Sequence, residues 1–141
     1  MSKKILIMGL PGAGKTTLAK ALLKYLDAEW LNADKVRQEA KDWDFSPSGR
    51  VRQAKRMKDK CKSILEKNKN VVVDFVCPTS KTRDEFKADF TVWVDTIKKS
   101  RFEDTNLMFE PPKKFNIRVS SKNAEFWSKK VFEEITKEKD E

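Results

Sequence analysis

The sequence contains no histidine and only two cysteines, Cys61 and Cys77, among its 141 residues. The absence of histidine excludes Ser-His-Asp and Cys-His nucleophilic catalysis. Two cysteines without histidine also provide too few of the ligands that a structural zinc site prefers. We therefore expect a reduced, cytoplasmic protein whose chemistry depends on other side chains.

Long apolar runs are missing as well. Hydrophobic and charged residues each make up 38% of the chain. The apolar run after Met1-Ser-Lys-Lys is too short for a signal peptide or a membrane span. The apolar residues nevertheless fall in clusters, which indicates an ordered fold with a highly charged surface. The length is that of one compact domain, so we expect a single domain over residues 1–141 and no membrane association.

The net charge is +9, from 31 Lys and Arg against 22 Asp and Glu. Such an excess can serve nucleic acid binding, an anionic small substrate or solubility alone. Many of the cations lie among acidic residues, as in the stretch 55–62, which is typical of a solvated helix face. The charge therefore leaves nucleic acid open as a partner without favouring it.

Short apolar runs alternate with helical periodicity along the chain. Strands are predicted at 3–8, 28–31, 71–76, 90–94 and 115–119, and helices beginning near Lys15, Ser46-Pro47, Thr82 and Ala124. The nearly continuous apolar run 71–76 predicts an internal parallel strand, Thr82 with Glu85 fits a capping box, and 101–114 is predicted to be a loop. The alternation predicts an α/β fold with a five-stranded parallel sheet between helices.

A phosphate-binding motif lies between the first predicted strand and helix. Gly9-Leu-Pro-Gly-Ala-Gly14-Lys15-Thr16 fits G-x-x-x-x-G-K-S/T, and glycines allow backbone N–H groups to surround phosphate oxygens. Lys15 would contact the β- and γ-phosphates, and the Thr16 hydroxyl would be a Mg²⁺ ligand. We predict a P-loop NTPase fold that binds ATP through Gly9, Pro11, Gly12, Ala13, Gly14, Lys15, Thr16 and Thr17.

Two aspartates lie on or directly after strands expected to flank the P-loop strand. Asp34 is predicted to orient the acceptor hydroxyl and take its proton, or to contact a metal-bound water. Asp74 is predicted to be a second metal ligand, with a hydrogen-bonded carboxylate at a strand edge as the alternative.

Three arginines and one phenylalanine follow these elements. Arg37, Arg50 and Arg83 lie where guanidinium groups could bind an anionic substrate in a bidentate way. Phe45 could stack on a base or belong to the core. For each arginine an ordinary surface position is the alternative.

At this point the sequence resembles the adenylylsulfate kinase family, which transfers the ATP γ-phosphoryl group to the ribose 3′-hydroxyl of adenylyl sulfate. The resemblance extends from about Lys4 to Val94. The family's G-L-S-G-S-G-K-S/T corresponds to the glycine motif, and its L-D-G-D-x-x-R to Leu31-Asn-Ala-Asp-Lys-Val-Arg37. The resemblance implies that Asp34 is the catalytic aspartate and that Arg37 binds substrate.

Two further segments extend the resemblance. The family's D-L-G-F-S-x-x-D-R-x-x-N corresponds to Asp42-Trp-Asp-Phe-Ser-Pro-Ser-Gly-Arg-Val-Arg-Gln53, which implies that Phe45 stacks on the acceptor's adenine and Arg50 binds its phosphosulfate. F-I-S-P corresponds to Phe75-Val-Cys-Pro78, with Arg83 beyond it. The implied acceptor contacts are Asp34, Arg37, Phe45, Arg50, Gln53, Val76, Cys77 and Pro78.

The sequence also departs from the family pattern. Asn32 and Gly49 replace aspartates, Gln53 an asparagine and Cys77 a serine. The K-G-L-Y lid segment has no counterpart, because 101–112 is too short to contain it. With no lid lysine, Arg101 is the residue we expect to join Lys15 in stabilising charge on the transferred group.

Three hypotheses follow. The first is an adenylylsulfate-kinase-like enzyme that uses ATP and Mg²⁺ on a small anionic acceptor, which the joint presence of Asp34, Arg37, Phe45 and Arg50 favours. The second is a polynucleotide or nucleoside kinase, and the third is a nucleotide-binding module that has lost catalysis. The sequence leaves a homodimer open.

Overall fold

The computed structural model describes residues 2–139, in which helices cover both faces of one sheet. The strands are β1 (Lys4–Met8), β2 (Ala28–Asn32), β3 (Asn70–Asp74), β4 (Phe90–Val94) and β5 (Ile117–Val119). The helices are α1 (Lys15–Leu22), α2 (Ala33–Ala40), α3 (Pro47–Glu66), α4 (Ser80–Phe86), α5 (Glu103–Met108) and α6 (Ala124–Lys139). All strand pairs are parallel, in the order β2-β3-β1-β4-β5. The predicted five-stranded α/β fold is confirmed.

The centre of the sheet is β1, and the strand order reverses on either side of it. Parallel sheets bind ligands at the carboxyl ends of their strands, next to such a reversal. In register, Asp74 pairs with Ile7 of β1 and with Asn32 of β2. The sheet therefore brings the ends of β2 and β3 beside the glycine loop that follows β1.

The apolar side chains form two buried clusters, one on each face of the sheet. Alternate β1 residues divide between them, with Ile5 and Ile7 in one and Leu6 and Met8 in the other. The first cluster includes residues of α1 and α6, and the second residues of α2, α3 and α4. Because both faces are covered, the central strands β1 and β3 are mostly apolar and buried, and they anchor the loops at their carboxyl ends.

Helix boundaries differ from the sequence prediction at three places. The Asn32 side chain accepts the Lys35 N–H and begins α2, a helix that was not predicted. Thr79 is the N-cap of α4 and exchanges hydrogen bonds with Thr82, so the predicted Thr82 and Glu85 capping box is wrong. The segment predicted as a loop at 101–114 contains α5, and β3 ends at Asp74 rather than at residue 76.

Within residues 2–139, none of the helices combines the length and the apolar content that crossing a membrane requires.

Candidate functional site

The glycine loop after β1 borders a cavity of about 1090 Å³ at the carboxyl edge of the sheet. Gly9 has a φ of 155°, and a Cβ atom there would lie 2.5 Å from the carbonyl oxygen of Val94. Only glycine lets the loop pass so close to β4. Gly14 is the N-cap of α1 and offers no side chain to its first N–H groups, so these donors are available to an anion.

Lys15 extends from α1 back toward the loop. Its Nζ donates to the carbonyl oxygen of Leu10 at 2.9 Å. Burial lowers the pKa of Lys15 from 10.5 to about 8, while Asp74 and Asp34 oppose the shift. A bound polyphosphate would place negative charge next to the Lys15 ammonium and would favour its charged form.

Asp74 is only 2% exposed and accepts hydrogen bonds on both carboxylate oxygens. Thr16 Oγ1 donates to Oδ2 at 2.6 Å and Trp30 Nε1 to Oδ1 at 2.8 Å. The Asn32 amide lies 3.2 Å from Oδ2 and 3.4 Å from Oδ1. Burial raises the pKa of Asp74, and these hydrogen bonds oppose the shift.

The Thr16 hydroxyl and the Asp74 carboxylate are the kind of oxygen ligands that Mg²⁺ accepts. In the described part of the chain, no three His, Cys, Asp or Glu side chains form a cluster that could hold a metal by itself. One carboxylate with one hydroxyl fits a Mg²⁺ ion that takes its other ligands from phosphate and water.

Asp34 occupies the second position of α2 and lines the same cavity. Its side chain is exposed, and no residue in the range 2–139 forms a hydrogen bond or an ion pair with it. The carboxylate can therefore accept a proton from a bound hydroxyl group.

Two buried arginines also line the cavity and differ in their partners. Arg37 Nη1 donates to the backbone oxygens of Asp42 and Asp44, at 3.0 and 3.2 Å. Arg50 Nη2 donates to Thr105 Oγ1 at 2.8 Å, whereas its buried Nε lacks a partner in the described residues. Arg37 thus stabilises a backbone turn, and Arg50 retains an unused donor.

The ring of Phe45 packs between these arginines and the solvent. The Cζ atoms of Arg37 and Arg50 lie 4.4 and 4.9 Å from the ring centroid. The residue is 40% exposed, so part of the ring is open to a ligand at the mouth of the cavity.

The Gln53 amide is occupied at both ends. Its Nε2 donates to the Ala33 carbonyl oxygen at 3.1 Å, and its Oε1 accepts from Arg56 Nη1 at 2.5 Å. The residue lines the cavity, but an acceptor contact from this amide would require one of these bonds to break.

The 76–78 loop borders the cavity and is held from behind by Arg83. Its guanidinium donates to the carbonyl oxygens of Cys77 at 3.0 Å and Pro78 at 3.1 Å, and also to that of Glu110. These bonds occupy the Nε and Nη2 donors of Arg83 that the sequence suggested for a substrate. Burial raises the pKa of Cys77 to about 12, which leaves its thiol protonated and unreactive.

The 100–110 segment covers one side of the cavity and is fixed by polar contacts. Ser100 and Asn106 form three hydrogen bonds of 2.7 to 2.9 Å, and Thr105 is bound to Arg50. Arg101 lies exposed at the rim, with its guanidinium 5.0 Å from the ring centroid of Phe102. The sequence analysis missed Thr105, because a polar residue in a segment without periodicity gave no reason to select it.

A second group that the sequence analysis missed borders the phosphate loop. Thr96 Oγ1 donates to the Ala13 carbonyl oxygen at 2.6 Å and supports the loop from the end of β4. Polar residues after β4 and β5 line this end of the cavity, namely Lys99, Ser121, Lys122 and Asn123. The only sequence feature that could have selected these residues is their position after strand ends, and many surface residues share that feature.

The structure brings nearly all the predicted site residues to one cavity. All of them except Gly9 and Arg83 line it, from the glycine loop through Asp34 and Asp74 to Arg37, Arg50 and the 76–78 loop. Gly9 lies behind the loop, against β4. Their individual roles remain predictions.

Comparison with known proteins links this site to phosphate-binding domains. A family model described as an AAA domain matches residues 5–112. A protein from Pseudomonas aeruginosa described as a probable adenylyl-sulfate kinase is 36% identical over 95 residues. That match covers 63% of this chain and 44% of the relative, so the chain spans less than half of the relative's length.

Solved structures share the fold over nearly the whole chain. The APS kinase CysC of Mycobacterium tuberculosis, in complex with AMPPNP and APS, has a TM-score of 0.74 at 18% identity, covering 96% of this chain and 98% of that one. Shikimate kinase from Acinetobacter baumannii, in complex with shikimate, has a TM-score of 0.64 at 15% identity, covering 99% and 96%. At these identities the likeness shows the fold alone.

Proposed function

Because the chain belongs to the AAA domain family of P-loop proteins, we propose that it is an ATP-dependent kinase resembling adenylyl-sulfate kinase. Its acceptor is a hydroxyl group of a small anionic nucleotide, with adenylyl sulfate as the first candidate. The observation that carries the proposal is one cavity that joins the glycine loop to a free carboxylate, Asp34, and to an unused guanidinium donor of Arg50.

The donor half of the reaction takes place at the glycine loop. The N–H groups at the start of α1 and the Lys15 ammonium bind the β- and γ-phosphates. Thr16 and Asp74 would hold Mg²⁺, which would supply positive charge to these phosphates. Lys15 and Arg101 stabilise the charge that develops on the γ-phosphoryl group during transfer.

The acceptor half is bound between the 76–78 loop and the arginines. Arg50 Nε binds an anionic oxygen of the acceptor, and the open part of the Phe45 ring stacks on its base. Asp34 orients the acceptor hydroxyl and takes its proton while that oxygen bonds to the γ-phosphorus. The bond from the γ-phosphorus to the β,γ-bridging oxygen breaks, and ADP leaves.

The test is turnover of Mg²⁺-ATP with adenylyl sulfate, with direct detection of 3′-phosphoadenylyl sulfate. We expect product from the native chain and a loss of at least about a hundredfold in Lys15→Ala and Asp34→Asn. Glu39→Gln is the matched control for Asp34, since Glu39 is an exposed acid on the same helix, outside the cavity lining. A native chain that binds both nucleotides and forms no product would contradict the proposal.

A polynucleotide or nucleoside kinase is the second candidate, and exposed aromatic rings favour it. Trp43 and Phe102 are 54% and 44% exposed, and Phe102 lies at the rim of the cavity. Bases of a single strand stack on such rings. ATP turnover that requires a nucleoside or an oligonucleotide rather than adenylyl sulfate would select this candidate. ATP binding without turnover on any acceptor would select the nucleotide-binding module.

We also propose that the protein works in the cytoplasm as a single domain over residues 1–141. Cys61 and Cys77 are both buried free thiols, which supports a reducing compartment.

A further inference from the structure

The Asp74 carboxylate is surrounded by side chains from two other elements. Thr16 belongs to α1, while Trp30 and Asn32 lie two positions apart on β2. The register places Trp30 opposite Val72 and Asn32 opposite Asp74 itself. The phosphate motif and the family resemblance give no role to Trp30, and Asn32 departs from the family pattern.

The hydrogen bonds to Asp74 are divided between its two oxygens. The indole N–H of Trp30 binds Oδ1 at 2.8 Å, and the Thr16 hydroxyl binds Oδ2 at 2.6 Å. The terminal torsion of a carboxylate side chain has broad energy wells, so the group rotates easily. A fixed donor on each oxygen is therefore needed to keep Oδ2 turned toward Thr16.

Asn32 uses both ends of its amide at this place. Its Oδ1 accepts the Lys35 N–H at 3.1 Å and caps α2, while Nδ2 faces both Asp74 oxygens. A serine at position 32 would still cap the helix, because Ser and Asn are about equally good N-caps. It would, however, remove the amide donor that faces Asp74, without adding a charge beside the cation site.

We propose that Trp30 and Asn32 are positioning residues, which hold the Asp74 carboxylate toward Thr16 in the orientation that binds the divalent cation of the nucleotide. The inference depends on the proposed function, since it gives this pair a role only in metal-nucleotide binding. Replacing a residue that hydrogen-bonds to a metal ligand commonly changes metal affinity by about 10–100-fold. Replacing either residue should weaken metal binding and leave the affinity for the nucleotide itself unchanged.

The first measurement is ATP binding by calorimetry, in Mg²⁺ and in EDTA, for the native chain, Trp30→Phe and Asn32→Ser. Trp30→Phe keeps an aromatic ring in place and removes the N–H. We expect both variants to bind metal-free ATP with an affinity within about twofold of the native value. The factor by which Mg²⁺ raises ATP affinity should be at least about tenfold smaller in the variants than in the native chain. Trp93→Phe is the control, because Trp93 packs on Phe115 and does not line the cavity.

The second measurement uses Trp30 as an optical reporter. Adding Mg²⁺ to the ATP-loaded protein should change the tryptophan emission of the native chain and of Trp93→Phe, and not that of Trp30→Phe. Loss of the response in Trp30→Phe shows that this indole is the reporter. Asn32→Ser keeps the indole and should need about tenfold more Mg²⁺ for the same emission change, which a role of Asn32 in helix capping alone would not require.

Each outcome has a defined meaning. Variants that gain as much from Mg²⁺ as the native chain, or that lose metal-free ATP binding to the same extent, would overturn the inference and leave the proposed function standing. A native chain whose ATP binding gains nothing from Mg²⁺ would overturn the metal role in the proposed function, and the inference with it.

Discussion

Lys15 shows at the scale of one residue how a binding site opposes stability. Its pKa is lowered to about 8, chiefly because burial disfavours the charged form. Below pH 8 the folded protein holds a buried ammonium ion at a cost. Between pH 8 and 10.5 the folded state binds fewer protons than the unfolded state, so the free energy of unfolding rises with pH.

We therefore expect Lys15→Met to be more stable than the native chain at pH 7 and to bind ATP poorly. A gain of roughly 3 °C in the unfolding temperature corresponds to about 1 kcal/mol for a domain of this size. The advantage should shrink as pH rises from 8 to 10.5, because the native chain then sheds the costly proton. Thermal unfolding across this pH range is the measurement. A constant difference at every pH would contradict the argument.

Gly9 makes a second prediction at the residue scale. A Cβ atom at Gly9 would lie 2.5 Å from the Val94 carbonyl oxygen, whereas the nearest atom to a Cβ at Gly12 would be Ile97 Cδ1 at 4.0 Å. Both glycines have positive φ, at 155° and 84°, so both alanine variants carry backbone strain. Gly9→Ala adds a clash with backbone and should cost about 2 kcal/mol more than Gly12→Ala in denaturant unfolding. Equal costs would mean that the loop moves away from β4 freely.

At the scale of elements, α5 lies along the Arg50 side of the cavity, where Asp104 and Thr105 line it. Its connection to that side is the bond from Arg50 Nη2 to Thr105 Oγ1, made by a threonine that is only 4% exposed. Arg50 Nε and Nη2 form one edge of the guanidinium, so Thr105 occupies half of the edge that an oxyanion would bind.

Replacing Thr105 by valine keeps the side chain's shape and removes the hydroxyl. We expect Thr105→Val to lose about 1–3 kcal/mol of unfolding free energy, because a second buried donor of Arg50 then lacks a partner. Saturating adenylyl sulfate should reduce this deficit, since its anion can pair with the freed donor. Denaturant unfolding with and without the nucleotide measures both effects. Thr105→Ser, which keeps the hydroxyl, should stay closer to the native chain than valine does.

The elements that the sequence predicted correctly are those with an unambiguous local pattern. The strand at 90–94 and the cap at Ser46 follow from apolar runs and from a hydroxyl before proline. The short helices α2 and α5 could not be predicted in this way. Asn32 caps α2 inside a motif that resembled a strand end, and α5 is six residues long and depends on tertiary contacts such as Arg50 with Thr105.

The residues that share the cavity are more predictable than the bonds between them. The glycine motif and the strand ends placed Lys15, Asp34 and Asp74 together, because carboxyl ends of parallel strands meet at one edge. Sequence spacing could not show that the Gln53 amide is already engaged at both ends or that Arg50 Nε lacks a partner. Those facts depend on side-chain directions that the fold sets.

At the scale of the whole molecule, some of the 31 Lys and Arg residues pair with acidic residues in local networks, while the net charge stays +9. Asp42 accepts from both Arg52 and Arg56, and Asp44 is a further partner of Arg52. Lys58 pairs with Glu85 across α3 and α4. These pairs reduce the positive potential that α3 would present to a nucleic acid. Arg50 lines the cavity, and its buried Nε lacks a partner in the described residues.

This distribution of charge predicts how salt affects binding. A protein that contacts six to ten backbone phosphates loses about 10³–10⁵ in affinity between 50 and 200 mM salt. Adenylyl sulfate carries few charges and, under the proposed function, would bind in one cavity, so its dissociation constant should rise by less than about tenfold over that range. Lys55→Glu with Lys60→Glu on the exposed side of α3 should leave it unchanged. A single-stranded oligonucleotide that binds more tightly than adenylyl sulfate at 50 mM salt, with a steep salt dependence that this double variant abolishes, would instead identify nucleic acid as the acceptor.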